Sequence, residues 1–359
     1  MFWINDSEVN YTEFNFSDYI PYSERPETYI VPVVLVIVFL VGTLGNGTLL
    51  YIFLKNKSMR SVPNMFIISL SIGDLIVIIG SVPFIGTVYI VESWPYGELI
   101  CKLSEFLKDV SVGVTVLTLT VLSIDRYLAT VVPMQKYKNP HSKYSTFFIT
   151  VGIWCASIGL AVPGAHYSYI LHLKGRGKFI NVCYPFPLHL MLWYPRTIVL
   201  VKFFLLYTLP LIIISTFYVF MARHLLLSLR NNIGQNDSHI KHMRARSKVA
   251  RIVLALVIVF AICFFPNHVF MLWFYFHPNS LSLYNEFWNT WKICSYVLTF
   301  VNSCMNPITL CIISGVFRSY FRKYLFCCCC PVKKKKRFIH FGTKSSSRSN
   351  SRLTTSTRV

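Results

Sequence analysis

Residues 252–276 read IVLALVIVFAICFFPNHVFMLWFYF, without a single Asp, Glu, Lys or Arg. A helix that crosses the hydrocarbon core of a bilayer needs about 20 mainly apolar residues, so this run is long enough to span a membrane. Three more uncharged runs are long enough, 29–54, 144–173 and 293–317. Three others qualify if isolated charges are tolerated: 62–91 around Asp74, 110–124 with its flanks, and 197–222 around Lys202. The sequence predicts an all-α membrane protein, a bundle of seven transmembrane helices.

The composition excludes most other classes. Of the 359 residues, 54% are hydrophobic and 14% are charged, whereas soluble domains carry about 25% charged residues. Seven spans would occupy about half of the chain, and no metal-ligand spacing, nucleophile elbow or phosphate loop is present, so we do not expect an enzyme. The net charge is +21, but the sequence contains no folded basic domain that could bind nucleic acid. It favours attraction to anionic inner-leaflet lipid over nucleic-acid binding.

The two ends of the chain differ in charge. Residues 1–29 hold six of the fourteen acidic residues and one base, whereas residues 315–359 hold twelve basic residues and no acid. Since excess Lys and Arg remain cytoplasmic, we expect the amino terminus outside and the tail inside. Residues 1–29 are predicted to form an extracellular segment, and residues 30–314 the bundle. N-glycosylation is predicted at Asn5, Asn10 and Asn15, each of which begins an Asn-x-Ser/Thr triplet.

The tail contains three distinct features. Residues 315–326 alternate aromatic and basic residues at roughly helical spacing, which predicts a short amphipathic helix on the inner membrane face. Residues 327–359 are basic and rich in Ser and Thr, and we expect them to be disordered. The chain ends with Thr357 and Val359 in a pattern that a PDZ domain reads. Palmitoylation is predicted at the contiguous cysteines Cys327, Cys328, Cys329 and Cys330, since they follow a membrane helix and lack metal-site spacing.

Two further cysteines are expected to form a disulfide. Cys101 begins the third span on the outer side, and Cys183 lies in the second outer loop. They alone are predicted to meet in an oxidising compartment. A bond between them would close a loop of roughly 80 residues and hold that loop over the bundle.

Polar residues inside the spans are costly in lipid and therefore tend to be functional. Those predicted near mid-membrane are Asn46, Asp74, Thr115, Asn302, Ser303 and Asn306. Small polar residues also simply hold helices together, which is the alternative interpretation. A lone carboxylate needs a cation or a proton, so we predict an allosteric sodium ion at Asp74, and no other cofactor.

Several motifs occur in a fixed order along the predicted spans. Gly45-Asn46, Leu70-Ser-Ile-Gly-Asp74, Asp125-Arg126-Tyr127, Cys263-Phe-Phe-Pro266 and Asn306-Pro307 lie in spans one, two, three, six and seven. Together with Trp154, Pro210 and Tyr218, this pattern resembles rhodopsin-type G-protein-coupled receptors over about residues 30–326. The sequences around Cys101 and Pro266 resemble the bombesin and endothelin branch. The stretch 268–276 and the run 302–307 look most like arthropod CCHamide neuropeptide receptors.

The resemblance implies a plasma-membrane receptor that converts binding of an amidated peptide into activation of a heterotrimeric G protein, with a Gq-type subunit favoured. It also implies regulation by a receptor kinase and arrestin. The residues it assigns to coupling and activation are Asp125, Arg126, Tyr127, Tyr218, Phe264, Pro266 and Pro307. The chain departs from the family at Phe264, where Trp is usual, and at Leu310, where the Asn-Pro motif usually ends in Tyr.

The outer halves of the predicted spans hold mixed charges and aromatic groups, which suit a peptide. Lys108 stands where an amine receptor would have an acid, so an amine ligand is disfavoured. Some Lys and Trp residues near span ends also serve as interfacial anchors. The predicted ligand-binding residues are Glu105, Lys108, Asp109, Lys202, Asn267, His268, Lys292 and Tyr296. A multi-span ion or solute transporter or channel is the alternative function. It would use Asp74 and the lysines as an ion path, but it leaves Asp125-Arg126-Tyr127 unexplained.

Overall fold

The computed structural model describes residues 24–59, 61–131, 143–175, 178–231 and 237–325. Within these ranges, seven helices are long and apolar enough to cross a membrane. In chain order they are Pro26–Lys55, Val62–Val91, Gly97–Val131, Tyr144–Tyr167, Trp193–His224, Val249–Phe276 and Glu286–Ile313. The predicted seven-helix bundle is therefore confirmed. We refer to these helices as the first to the seventh span.

The ends of the spans differ from the uncharged runs where local chemistry decides them. The first span begins at Pro26, before the predicted boundary at residue 30. Proline is favoured in the first helical turn, and the acidic Glu27 in that turn suits the positive end of the helix dipole. The fourth helix stops at Tyr167, although the uncharged run continues to Leu173. Residues beyond it form a strand, and lack of charge does not distinguish strand from helix.

The second outer loop is a β-hairpin. Strand β1, Tyr169–Gly175, pairs antiparallel with strand β2, Lys178–Tyr184. The predicted disulfide between Cys101 and Cys183 is present, with the two Cα atoms 5.5 Å apart. The loop after the second span supports the same strand, because the Trp94 backbone N–H donates to the Asn181 carbonyl at 2.8 Å. The hairpin is thus fixed to the outer ends of the second and third spans.

Two spans are irregular within the membrane. The second is interrupted at Ser81, which separates Val62–Gly80 from Val82–Val91. The fifth contains a π-helical turn, Phe204–Thr208, between Trp193–Phe203 and Leu209–Asn231. A π turn shifts the faces that the helix presents on either side of it. The outer half of the fifth span is therefore rotated relative to its inner half.

The facing ends of the fifth and sixth spans extend as helices beyond their apolar stretches. The fifth continues to Asn231 and the sixth begins at Asp237. Residues 223–231 and 237–251, which are mostly polar, are therefore helical. Once a helix has formed, each added residue costs little, so it continues past the bilayer edge.

After Ser314, a helix runs from Gly315 to Leu325. We call it the surface helix. Its Phe317 and Phe321 are buried, and Arg318 donates from Nε to the Cys311 carbonyl at 3.0 Å and also to the Ile312 carbonyl. These bonds satisfy carbonyls at the end of the seventh span, which have no partner within their own helix. The surface helix is thereby held against the bundle.

The main buried cluster joins the inner halves of the spans. Leu119, Ile214, Leu256 and Phe260 are each at most 1% exposed. Three groups of predicted positions lie outside the described residues: the glycosylation sites Asn5, Asn10 and Asn15, the cysteines Cys327 to Cys330, and the terminal Thr357 and Val359.

Candidate peptide pocket, polar network and cytoplasmic face

The third and seventh spans are joined by a charged contact in their outer halves. Lys108 Nζ lies 2.5 Å from Glu105 Oε1, one turn earlier on the third span. The same Nζ donates to the Tyr296 hydroxyl at 2.8 Å and lies 5.0 Å from the centre of that ring. The Lys108 and Glu105 side chains are 15% and 18% exposed. A lysine this deep is stabilised by its carboxylate and by the aromatic face beneath it.

A second ion pair joins the third and fifth spans. Lys202 Nζ lies 2.7 and 2.8 Å from the two oxygens of Asp109. Gly164 on the fourth span makes room for this carboxylate, since a Cβ added there would lie 2.7 Å from Asp109 Oδ2. Adjacent helical residues point about 100° apart. Lys108 therefore reaches the seventh span while its neighbour Asp109 reaches the fifth.

The remaining predicted ligand residues are less tightly connected. The His268 ring lies 4.6 Å from the Tyr207 ring between the fifth and sixth spans. Lys292 Nζ lies 5.7 Å from the Tyr284 ring centre. Asn267 is half-buried, and its side chain makes no hydrogen bond to any described residue. We call the region formed by Glu105, Lys108, Asp109, Lys202, His268 and Tyr296 the outer pocket.

An aromatic contact between the sixth and seventh spans was not predicted. The rings of Trp273 and Trp288 stack with centres 3.7 Å apart and planes 8° apart. One turn further in, Trp291 Nε1 donates to the Pro266 carbonyl at 3.0 Å. The spacing of Trp288 and Trp291, one turn apart on the same face, was the available sequence signal. These contacts fasten the seventh span to the proline of the sixth.

The polar residues of the spans meet around Asp74, which is fully buried. Asn306 donates to Asp74 Oδ2 at 2.7 Å, and the buried Ser303 lies one turn earlier on the same span. Asn46 donates to the Ser303 carbonyl at 2.9 Å and to the Gly42 carbonyl at 3.0 Å. We call Asn46, Asp74, Ser303 and Asn306 the polar network. It connects the first, second and seventh spans.

Two oxygens of the polar network are available to coordinate a cation. Asp74 Oδ1 and Asn46 Oδ1 are buried, and neither meets hydrogen-bond geometry with any group in the described ranges. Carboxylate and amide oxygens are the donors that a hard cation prefers, so these residues fit a sodium ion. Thr115 and Asn302 are also buried, but neither forms a hydrogen bond with Asp74.

At the inner end of the third span, Arg126 pairs with its neighbour Asp125, with Nε 3.0 Å from Oδ2. The Tyr127 ring lies 5.1 Å from the Phe217 ring on the fifth span. The Tyr218 hydroxyl donates to the Ala250 carbonyl at 2.9 Å and so joins the fifth span to the sixth. Together these contacts keep the inner ends of three spans close to one another.

The positions that depart from the family pattern are packed into the core. Phe264 is 5% exposed, and its ring lies 4.7 Å from the Phe260 ring. Leu310 is fully buried. Pro307 lies against Gly45, where an added Cβ would be 2.6 Å from the proline Cγ. At Phe264 and Leu310 the chain has apolar packing where the family pattern has an indole and a phenol.

The order of these motifs and their positions on seven packed spans agree with a known family. Residues 45–309 match the 7 transmembrane receptor (rhodopsin family). The chain belongs to this family. Its members are receptors, not enzymes or transporters. Family membership and the seven apolar helices together make the chain a multi-pass protein of the plasma membrane.

Two curated relatives make the comparison finer. The chain is 46% identical over 327 residues to the neuropeptide CCHamide-1 receptor of Drosophila melanogaster, a match that covers 90% of the chain and 65% of that receptor. It is 37% identical over 301 residues to the [Phe13]-bombesin receptor of Bombina orientalis, covering 83% of the chain and 76% of the relative. The chain thus matches slightly less than two-thirds of the length of the Drosophila receptor.

Proposed function

We propose that this protein is a cell-surface receptor for an amidated neuropeptide of the CCHamide or bombesin kind and that it activates a heterotrimeric G protein. The observation that carries the proposal is the outer pocket, whose Glu105 and Lys108 follow Cys101, the disulfide anchor of the hairpin, by one and two turns along the third span. Lys108 pairs with Glu105 within the third span and donates to Tyr296 on the seventh, and Lys202 on the fifth span pairs with Asp109 on the third. A peptide offers carbonyls, amides and charged side chains that can replace those partners. Both named relatives are peptide receptors.

The peptide acts by favouring one conformation of the bundle. Replacing the partners of Lys108 or Asp109 changes the contacts between the third span and its neighbours. A ligand shifts a conformational equilibrium only by its difference in affinity for the two states. The sixth span can hinge at Pro266, where a helix hydrogen bond is missing. The outward state would separate Tyr218 from Ala250 and open the inner face beside Arg126 to a G protein.

The polar network supplies a second control. A sodium ion held by Asp74 Oδ1 and Asn46 Oδ1 would stabilise the resting arrangement of the first, second and seventh spans. Sodium and peptide then oppose each other if the peptide favours the state that binds sodium less well. By linkage, each lowers the affinity of the other by the same factor.

The two ends of the chain complete the proposal. The amino terminus faces outward and is glycosylated, and the basic tail faces the cytoplasm and is palmitoylated at Cys327 to Cys330. A Gq-type subunit is the favoured transducer. Phosphorylation of the Ser/Thr-rich tail by a receptor kinase adds charge that loosens the tail from anionic lipid and attracts arrestin.

Thr357 and Val359 would dock a PDZ domain. A pull-down with the intact tail and with a Val359→Ala tail tests this docking, and equal recovery of PDZ proteins would contradict it.

Amidated neuropeptides should be screened against the full chain in a calcium-release assay, with binding followed by ligand-dependent GTP exchange in membranes. We expect a CCHamide-like peptide to drive both. If no such peptide acts but another amidated peptide does, the subfamily assignment is wrong and the receptor function stands. Ligand-dependent ion flux in vesicles without GTP exchange would instead support the transporter alternative.

A further inference from the structure

The two ion pairs of the outer pocket leave it without net charge. Lys108 Nζ lies 2.5 Å from Glu105 Oε1, and Lys202 Nζ lies 2.7 Å from Asp109 Oδ1. These four side chains carry two positive and two negative charges, each in contact with its opposite. A charged group that enters between them must break one of the pairs to find an opposite partner, whereas a neutral group need not.

The depth of the first pair favours the end of a peptide over an internal segment. Glu105 and Lys108 follow Cys101 on the third span, and they lie about 6 and 10 Å deeper along the helix axis than this disulfide anchor of the hairpin. A chain end reaches that depth as a single extended strand. An internal segment must enter and return, and closing such a loop costs conformational entropy. We therefore expect a chain end at this pair.

The possible ends of a peptide differ in charge. At neutral pH an unmodified carboxyl end is negative, and an unmodified amino end is largely positive. A carboxamide is neutral, with two N–H donors and a carbonyl acceptor. The Drosophila relative is a receptor named for a CCHamide neuropeptide, which supports an amidated ligand for this chain. The carboxamide is thus the end group that enters the pocket without adding charge.

We propose, building on the proposed receptor function, that Glu105 determines the preference of this receptor for an amidated over a free-acid peptide. The Lys108 ammonium donates to Glu105 and, at 2.8 Å, to the Tyr296 hydroxyl. It has three N–H donors, and the third can donate to the carbonyl of the carboxamide. The second oxygen of Glu105 accepts an N–H of the same carboxamide. The Glu105 side chain is 18% exposed, so a ligand can reach it.

A free-acid peptide meets the same residues with an unfavourable charge. Its terminal carboxylate would lie beside the Glu105 carboxylate, and neither group has a hydrogen to donate. Like charges repel more strongly in a partly buried site than in water, because the local dielectric is lower. Lys108 can relieve this repulsion only by giving up Glu105, which would leave that carboxylate buried without its partner. Glu105 therefore acts by rejecting the acid as well as by binding the amide.

The test uses the CCHamide-1 peptide in two forms, one with a carboxamide end and one with a free carboxylate end. Competition binding to washed membranes that contain the full chain gives the ratio of the two dissociation constants. We expect the amidated form to bind about a hundredfold more tightly. In Glu105→Gln, the amide should lose about threefold because its acceptor is no longer charged. The acid should gain about threefold because Lys108 becomes available to it, so the ratio should fall about tenfold.

Two variants on the same span serve as controls. Glu98→Gln removes a carboxylate that is 54% exposed and paired with Lys102, and an exposed pair of this kind should change the ratio by less than about twofold. Glu105→Asp keeps the negative charge on a shorter side chain. It should weaken both forms of the peptide and keep most of the preference for the amide, which a role in packing alone would not do. The surface level of each variant is measured in the same membranes.

A fall of about tenfold in Glu105→Gln, without such a fall in Glu98→Gln or Glu105→Asp, supports the role of Glu105. An unchanged ratio in Glu105→Gln overturns it, and so does an equal fall in Glu98→Gln, which would indicate a general effect of charge. A fall in Asp109→Asn alone would place the end of the peptide at the second pair and would also overturn it. If neither form binds, the proposed ligand class is wrong and the role of Glu105 falls with it. Tight binding of the amide with an unchanged ratio contradicts only the role of Glu105.

Discussion

In the outer pocket, Lys108 lies 2.5 Å from Glu105 and Lys202 lies 2.7 Å from Asp109, so each charge has an opposite partner. In the polar network, Asp74 receives its 2.7 Å hydrogen bond from the neutral amide of Asn306, and its other oxygen meets no hydrogen-bond geometry with a described group. The first region is electrically balanced by its own side chains. The second needs a proton or a cation from outside the chain.

This difference separates two ways of controlling the bundle. A ligand of the outer pocket must replace existing partners, and exchange of that kind gives specificity more than raw affinity. A ligand of the polar network adds charge that the site lacks, so a small ion is enough. We therefore expect the outer pocket to determine which ligand binds, and the polar network to shift the equilibrium between the two states.

The largest effect is expected when the pocket loses its deepest cation. Lys108→Ala leaves Glu105 buried without its partner and removes the donor to Tyr296. Loss of a buried, charged contact with a ligand costs about 2–5 kcal/mol of binding free energy. At the lower end of this range, peptide potency in the calcium assay should fall about thirtyfold. The matched control is Lys102→Ala, which removes a lysine that is more exposed than Lys108 and is paired with Glu98 on the same span.

Surface expression and thermal stability are measured for both variants. Unchanged potency for Lys108→Ala at normal surface level would mean that the peptide does not reach this contact. An equal loss in Lys102→Ala would mean that net charge at the pocket mouth matters rather than the internal pair.

A charge exchange sharpens the comparison at the second pair. Asp109→Lys or Lys202→Asp alone should lower potency about tenfold, because two like charges then face each other in a partly screened site. The double exchange restores an attractive pair, so the thermal midpoint of the receptor should recover. Peptide potency should not recover, because the ligand meets each charge in the wrong place. Recovery of both would assign this pair a structural role only.

The sequence was sufficient for the seven spans and the disulfide because these follow from long apolar runs and from the compartment of each cysteine. It was not sufficient for the pairing of charges. Lys108 contacts Glu105 and Tyr296, and Asp109 contacts Lys202. Which partners these residues meet depends on the rotation of the third span about its axis and on the π turn in the fifth span. The hairpin was not predicted, because residues 169–173 carry no charge, and an uncharged run can form either a strand or a helix. The stack of Trp273 on Trp288 depends on the relative height of two helices.

Removal of the network carboxylate gives a smaller effect that depends on salt. In the unaltered receptor, replacing an inert cation with sodium should lower peptide affinity about fivefold, the lower end of typical allosteric coupling. Asp74→Asn removes the charge and keeps the shape, so the sodium dependence should disappear. Lys108→Ala serves as the opposite control, since it should keep the sodium dependence while losing potency. A sodium response that persists in Asp74→Asn would exclude this site.

The smallest expected effect tests whether Trp291 contributes to the coupling between peptide binding at the outer pocket and G-protein binding at the inner face. Its indole donates to the Pro266 carbonyl at 3.0 Å. A displacement of the seventh span can therefore be transmitted to the hinge of the sixth. Trp291→Phe keeps an aromatic ring and removes a bond worth about 0.5–1.5 kcal/mol. Binding of peptide to receptor alone should hardly change, but the gain in peptide affinity caused by added G protein should shrink about threefold. Trp193→Phe is the control, since Trp193 is 58% exposed at the outer end of the fifth span. An equal loss of peptide affinity with and without G protein would mean that Trp291 has only a local packing role. A residue that transmits between two sites must change the coupling between them, and not merely the affinity of one site.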